Sequence, residues 1–432
     1  LVGPSRSGKT TAAIAGILEW EGPAICSSVK ADLLAPTLGW RSHLGEVRIY
    51  DPTGTTGRQC AAWSPLRHTN TVLGAQRAAR ALCDAAPRGG VEGGLDFWLA
   101  QAEILLSGLL WIASHTGRDM TAVCGWVMTQ DRPAEKGAGE VKTLLDVLLG
   151  ARDPLVASEA VETTQALLAI WEMEERTRSS VYATAQTVIW PWADPGVAAS
   201  SRGRGLDLDW LLGDNNTLYL CAPIEDQRRL APAFGGLLND LIAQAYRRVA
   251  RTGHPLDPPV LIVLDEAGNT PLRALPEYAS TLSGLGVLLV TIWQSLAQLE
   301  AAHGRQADTI LTNHLSKVFY AGLSDPASLR YVSLVLGDEE VETRSRSLAK
   351  DAGRGSLQLA TTRVSLTPAH VLRQMCPGDA LLVHGTLPPA HIRTRPYFRD
   401  RRLADRASFP PAGRPASVAA QRSEDQEDHS HG

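Results

Sequence analysis

The chain has 432 residues, 44% of them hydrophobic, and a formal net charge of −4. That length exceeds what one hydrophobic core ordinarily serves, so two domains are expected, one set into the other, with a tail. The near-neutral charge excludes a global basic field for nucleic acid but not a local basic channel, and six scattered cysteines without C-x-x-C pairs or nearby histidines argue against a zinc site or a disulfide scaffold and fit a reducing cytoplasm.

In chain order, the first predicted element is a two-residue strand, Leu1-Val2, running into Gly3-Pro4-Ser5-Arg6-Ser7-Gly8-Lys9-Thr10 and then a helical Thr11-Ala12-Ala13-Ile14 segment. The pattern G-x-x-x-x-G-K-[ST] between a strand and a helix is a phosphate-binding P-loop. Its glycines turn backbone N–H groups onto phosphates and the helix adds its positive dipole end. Lys9 reaches the outer phosphates and Thr10 offers a hydroxyl to Mg2+. ATP and Mg2+ are therefore the expected cofactors, and the first strand is expected to begin before residue 1.

Short apolar runs bounded by turn residues predict buried strands at residues 23–27, 47–50, 217–221, 260–264, 287–292, 317–320 and 380–384. Between residues 69 and about 188 the pattern changes to long helical segments, as at 96–112 and 141–149, with glycine loops at 89–94 and 137–139. The richest apolar stretch, 285–293, is strand-sized, so no membrane-crossing segment is predicted and any anchor is expected outside this sequence. Residues 341–362 are polar and Ser/Arg-rich, an exposed loop or hairpin. The chain then divides into a nucleotide-binding part at 1–68, an inserted all-α domain at 69–188, the rest of the nucleotide-binding domain at 189–400, and a disordered tail at 401–432.

Val260-Leu261-Ile262-Val263-Leu264-Asp265-Glu266 has the form of a Walker B strand. Asp265 is placed to hold Mg2+ and Glu266 to polarise the attacking water; a buried strand leaving into an acidic turn is the plainer alternative. The strand ending at Trp293 is followed by Gln294-Ser295. In RecA-like motors a polar residue there senses the γ-phosphate, which makes Gln294 the sensor candidate; a strand-end Gln capping the next helix is the alternative.

With the P-loop, Asp265-Glu266 and Gln294 in that order and a helical insert between the first two, the chain resembles the conjugative type IV secretion coupling proteins of the TraG/TraD class. Ser28-Val29-Lys30-Ala31-Asp32-Leu33, the strand and turn from Gly45 through Asp51-Pro52-Thr53-Gly54, Trp63-Ser64-Pro65-Leu66, Asp265-Glu266-Ala267-Gly268 and Leu387-Pro388-Pro389-Ala390 carry the likeness over roughly residues 1 to 400. The resemblance implies a RecA-like P-loop ATPase with a parallel-dominated sheet and an inserted all-α domain, assembled as a homo-hexamer. It also implies a place at the cytoplasmic face of the cell membrane, with a membrane region missing from this chain. Its partners would be a relaxase or relaxosome protein, single-stranded DNA gripped without sequence preference, and secretion-channel components.

The sequence departs from that class in two places. Residues 281–286, just before the sensor strand, hold no arginine, so either a trans finger comes from Arg273, Arg305 or Arg330 or trans activation is poorer in this chain, and the Asp51-Pro52-Thr53-Gly54 segment has no adjacent lysine. Lys30 and Asp51 stand as candidates beside a solvated-surface reading. The Arg202-Gly203-Arg204, Arg247-Arg248 and Arg344-Ser345-Arg346 clusters are candidate phosphate contacts, although solvated faces are commoner. Trp98, Trp111, Trp126 and Trp171 fit a core better than a base-stacking platform. Two other functions remain open: an FtsK-like duplex DNA pump, and a nucleotide-gated adaptor that recruits secreted proteins with little DNA affinity.

Overall fold

The structure, a computed structural model, describes residues 1–28, 32–86, 95–133, 139–203, 205–268, 272–348 and 355–411. Its strands are β1 (Ala24–Ser28), β2 (Val47–Tyr50), β3 (Thr217–Cys221), β4 (Val260–Leu264), β5 (Val287–Thr291), β6 (Ser316–Tyr320), β7 (Asp338–Leu348), β8 (Gly355–Ser365), β9 (Asp379–His384) and β10 (Ala390–Arg393). The central five form a wholly parallel sheet in the order β2-β3-β1-β4-β5. Leu1 to Gly3 extend it: Val2 bridges Trp293 on one side and Phe319 on the other, both in parallel. This rung joins the sheet to the antiparallel set β10-β9-β6. All seven expected strands are present. The last two, β6 and β9, pair antiparallel rather than in a parallel array, because β9 returns directly along β6.

Side chains alternate across the sheet, and each set finds its own helices. One face carries Ala24, Cys26, Tyr219, Cys221, Leu261 and Val263 against α1 (Lys9–Glu19) and α2 (Leu34–Leu44). The opposite face carries Ile25, Leu218, Leu220, Ile262 and Leu264, in a core that continues into the helical segment. That segment holds α3 (Val72–Asp84), α4 (Leu95–His115), α5 (Met120–Met128), α6 (Gly139–Leu149), α7 (Pro154–Trp171) and α8 (Glu175–Ile189). Two short helices, α9 (Pro195–Ser200) and α10 (Leu208–Gly213), lead back to β3. Asp119, Asp153 and Asp194 cap α5, α7 and α9 through their carboxylates, the last two with Pro at the first turn, so local chemistry sets where these helices start.

The long helix α11 (Ile224–Thr252) follows β3 and packs on α3. After it come α12 (Leu275–Thr281), α13 (Leu296–His303), α14 (Ala307–Asn313), α15 (Pro326–Leu336) and α16 (Ala369–Arg373). The described residues of the polar 341–362 stretch lie in β7 and β8, in which Asp338 to Leu348 pair antiparallel with Ser365 to Gly355.

One sequence expectation is corrected, for the tail. By length and composition α4 is apolar enough to cross a membrane. In this fold Leu99, Leu105, Leu106, Leu109 and Ile112 of α4 are buried among the other helices, so the helix is the centre of a protein core. The tail does not begin at 401: α17 (Arg401–Ala407) packs on α1 and α2 through buried Leu403. Arg406 lies over the Trp40 ring at 4.3 Å and donates to Leu18 O at 2.6 Å. Residues 412–432, with the acidic run, lie outside the described residues, as do the glycine loop at 89–94 and Gly137-Ala138.

Neighbouring positions on α4 separate a core helix from any other role. Leu105→Ala is expected to destabilise the chain by about 2–5 kcal/mol, while Ile104→Ala, at a 40% exposed site, changes stability by less than about 1 kcal/mol, both read from urea unfolding.

Candidate nucleotide site

The site forms where parallel strands end. Trp293 N donates to Leu1 O at 2.8 Å and Gly3 N to Trp293 O at 3.1 Å; across the rung, Val2 N donates to Val318 O and Tyr320 N to Val2 O, each at 2.9 Å. The loop therefore leaves the sheet at a fixed point. A Cβ on Gly3 would lie 2.7 Å from Tyr320 Cβ and 2.8 Å from Ser7 Oγ, so only glycine fits there. Arg6 at φ 65° and Gly8 at φ 102° are both left-handed, curling the loop into a concavity of backbone N–H groups. Gly8 precedes α1 without a side-chain cap, which leaves the helix's first donors to a ligand.

Several side chains converge on this concavity. Lys9 is buried and its Nζ donates to the carbonyls of Gly3 and, at 2.7 Å, Pro4. Burial lowers its pKa, with the charges of Asp265 and Glu266 acting in opposition. Ser7 Oγ is buried without a hydrogen-bond partner among the described residues. Thr10 Oγ1 lies 3.5 Å from Asp265 Oδ2, joining the two sequence motifs across 255 residues. Burial, and next the charge of Glu266, push Asp265 up to about 6. Glu266 takes φ 53°, unusual for a residue with a side chain, and its N–H donates to Asp265 Oδ1 at 3.1 Å. An unmatched hydroxyl, uncapped helix donors and an ammonium held near two carboxylates fit a phosphate chain with a divalent cation. Lys9 and the loop amides would hold the phosphates, and Thr10 and Asp265 the cation. Pro4 and Ser5 supply loop backbone. Among the described residues no cluster of three or more His, Cys, Asp or Glu could hold a metal by itself.

Gln294 is exposed, three residues beyond β5 and next to Trp293, which pairs with Val2. Its side chain does not cap α13. Ser295 does, accepting from Gln298 N at 3.1 Å. Sequence reasoning missed Gln298. Its Oε1 accepts from Gln294 N at 2.9 Å, and its side chain covers Gly268, where a Cβ would come within 2.5 Å of Gln298 Cδ. One side chain thus ties the turn after Asp265-Glu266 to the exit of β5. The i, i+4 spacing of Gln294 and Gln298 is the only trace of this in the sequence.

Other candidates are placed as follows. Arg273 pairs with Asp96 of α4, and its N–H donates to Asp84 O, so it is engaged within its own chain. Arg305 and Arg330 are exposed. Asp51 is buried, which alone would raise its pKa, but hydrogen bonds from Thr56 N at 2.6 Å and Thr53 Oγ1 at 2.7 Å outweigh this and hold it below the ordinary value; it secures its own turn. Lys30 and Arg204 lie outside the described residues. Arg202 pairs with Asp119 at 2.9 Å and Arg248 with Asp209 at 2.6 Å, while Arg344 and Arg346 sit on β7. Trp111, Trp126 and Trp171 are buried, with ring N–H groups donated to Glu159, Glu140 and Tyr182; Trp98 packs against the same core.

A parallel sheet with the P-loop rung beside the sensor-position strand, and the acidic pair one strand further on, defines a RecA-like P-loop NTPase fold. A family model described as Type IV secretory system Conjugative DNA transfer matches residues 1–420, and the chain belongs to that family, the conjugative coupling proteins of the TraG/TraD class. A conjugal transfer protein TraG of Escherichia coli is 24% identical over 452 residues, covering 94% of this chain and 68% of TraG. A TraG of Agrobacterium fabrum is 25% identical over 52% of this chain and 34% of its own length. Among solved structures, the bacterial conjugative coupling protein TrwBdeltaN70 in its unbound form superposes with TM-score 0.66 at 17% identity, covering 91% of this chain and 83% of that one. TrwB in complex with ADP and Mg2+ gives TM-score 0.66 at 17% identity, over 91% and 84% of the two chains.

The Asp265 environment sets a pH dependence. The folded chain holds this proton more tightly than the unfolded chain, whose Asp titrates near 3.8. Its contribution to stability therefore falls as pH rises from about 4 to about 6, leaving a cost of about 1–3 kcal/mol at neutral pH. Asp265→Asn is expected to raise the unfolding free energy of the nucleotide-free chain at pH 7 by that amount and to leave it nearly unchanged at pH 4, as measured by denaturant unfolding.

Proposed function

We propose that this chain is the ATPase part of a coupling protein that recruits relaxase-bound DNA and drives it toward a type IV secretion channel. The observation that carries this reading is the convergence of Lys9 and Thr10 with Asp265 and Glu266 at the ends of neighbouring parallel strands. Family membership and the nucleotide complexes of TrwB support it. When bound, Mg2+ would neutralise charge on the β- and γ-phosphates. The loop N–H groups and Lys9 orient the phosphate chain, Thr10 and Asp265 supply oxygen ligands, and Glu266 accepts a proton from the attacking water. Gln294 senses the γ-phosphate from the adjoining strand exit, with Gln298 fixing its backbone. Residues 69–188 serve as the inserted all-α unit, and a hexameric ring anchored at the membrane passes DNA through its centre.

The adaptor reading keeps one observation in its favour. Arg273, the finger candidate nearest the acidic pair in sequence, is engaged with Asp96, and residues 281–286 offer no substitute. A chain with slow turnover would still act as a nucleotide-dependent switch.

Hydrolysis measured against protein concentration, with and without single-stranded and duplex DNA, separates these readings. Cooperative turnover stimulated by DNA and reduced on the order of 100-fold in Lys9→Ala is expected. Nucleotide binding with flat, DNA-indifferent turnover would transfer the assignment to the adaptor. Glu266→Gln is expected to lower kcat by about 100-fold or more while retaining nucleotide binding. Gln298→Leu should lower kcat by about tenfold with KM for ATP unchanged, and Gln298→Glu, which keeps the acceptor, should restore most of it.

A further inference from the structure

The Trp63-Ser64-Pro65-Leu66 motif has no part in the nucleotide site. Trp63 and Pro65 instead wall a cavity of about 180 Å3 between the segment that leads into α3, helix α3 itself and helix α11. Small residues open it: Ala78 and Ala81 on α3 face Gly236 and Ala243 on α11, where helix positions at this spacing ordinarily carry larger side chains that meet. At Gly236 a Cβ would lie 2.7 Å from Leu82 Cδ2 and 3.0 Å from Trp63 Cη2, so the close approach of Trp63 to α11 requires glycine. The one carboxylate in the lining, Asp240, is taken up by Trp63 Nε1 at 3.3 Å and Gln244 Nε2 at 3.1 Å. Both bonds fall on Oδ2, and most of the remaining lining is apolar.

The rim has the opposite character. His68, Arg77 and Arg247 border the opening and are exposed, and none has an acidic partner among the described residues. Leu73, 54% exposed, stands beside them and extends the apolar surface outward.

We propose that this cleft binds an acidic segment of a partner protein by taking one bulky apolar side chain into the cavity. The volume fits one such group, since a cavity of roughly 150 Å3 accepts a benzene ring. The basic rim complements flanking carboxylates, which steer the segment and fix its register. A nucleic-acid strand fits less well. Its bases stack on exposed aromatic faces, and Trp63 is only 2% exposed. The cleft spans α3 of the helical segment and α11, which leaves the sheet after β3, so an occupant would clamp these two helices together.

The probe is a fluorescently labelled synthetic peptide with one Phe flanked on both sides by Glu and Asp. Its controls are the same peptide with Ala for Phe, the same with Lys for the acids, and an oligothymidylate. Saturable binding of the acidic Phe peptide alone is expected. It should weaken at least about tenfold in Ala243→Leu, which fills the cavity, and in the His68→Glu/Arg77→Glu double variant, and it should weaken with added salt. Both variants should keep the thermal unfolding midpoint and the basal ATP turnover of the parent, which separates a failure here from a failure of the nucleotide assignment; Ala78→Leu provides a second filled cavity should Ala243→Leu fold poorly. Absence of saturable binding, binding indifferent to the variants, equal binding of the Ala peptide, or preferential binding of the oligonucleotide would each overturn the proposal. So would a cavity-filling variant that changes only the sedimentation of the chain, which would assign the cleft to a second copy.

Discussion

The rung formed by Leu1, Val2 and Gly3 is the constraint on which the site depends. It is hydrogen-bonded on both sides, to Trp293 and to Val318 and Tyr320, and so fastens the five-stranded parallel sheet to the antiparallel set beyond it. Because Gly3 touches Tyr320 where any side chain would collide, the loop has one way to leave the sheet. Parallel strands all end on the same side, so the loop emerges facing the ends of β4 and β5. Without that rung, Lys9 and Asp265 would be separate features of distant sequence segments.

The same geometry concentrates unfavourable electrostatics. Lys9 and Asp265 sit where burial disfavours charge, beside the unmatched Ser7 hydroxyl and a glutamate with left-handed backbone. Lys9 turns back onto two loop carbonyls, which satisfy two of its three protons but carry no charge to neutralise it. Such an arrangement is costly for folding and suited to an anionic ligand with a cation, which would place opposite charges beside Lys9 and Asp265 and a hydrogen-bond partner beside Ser7. Gln298 links the two: it spans the turn after the acidic pair and the exit of β5.

Helix α4 illustrates how much tertiary context decides. Its composition would serve a membrane span, a coiled core or a bundle centre equally well, and only the surrounding α3, α5, α6, α7 and α8 make it the last of these. Helix α11 makes the complementary point. Pro232 lies inside it, a residue that ordinarily breaks a helix, yet the helix runs on for 29 residues because its apolar side lies along the sheet face and α3. The Asp96–Arg273 pair and the cleft beside Trp63 both lie on this junction, where the helical segment and the nucleotide-binding part share one buried core.

The sequence by itself determined the elements whose signals are local. The P-loop was legible because a tight phosphate-binding turn admits few residue types, and the strands because a sheet buried on both faces demands unbroken apolar runs. The Asp265-Glu266 pair was legible because such a run ended in two acids. Tertiary structure decided whatever depends on contact between distant segments. The antiparallel return of β9 along β6, the docking of α17 on Trp40, the engagement of Arg273 with Asp96 and the place of Gln298 over Gly268 have no periodicity or spacing that announces them. The physical reason is the range of the forces involved: turn sterics and strand burial act within a few residues, whereas pairing, packing and charge compensation act between residues that only the folded chain brings together.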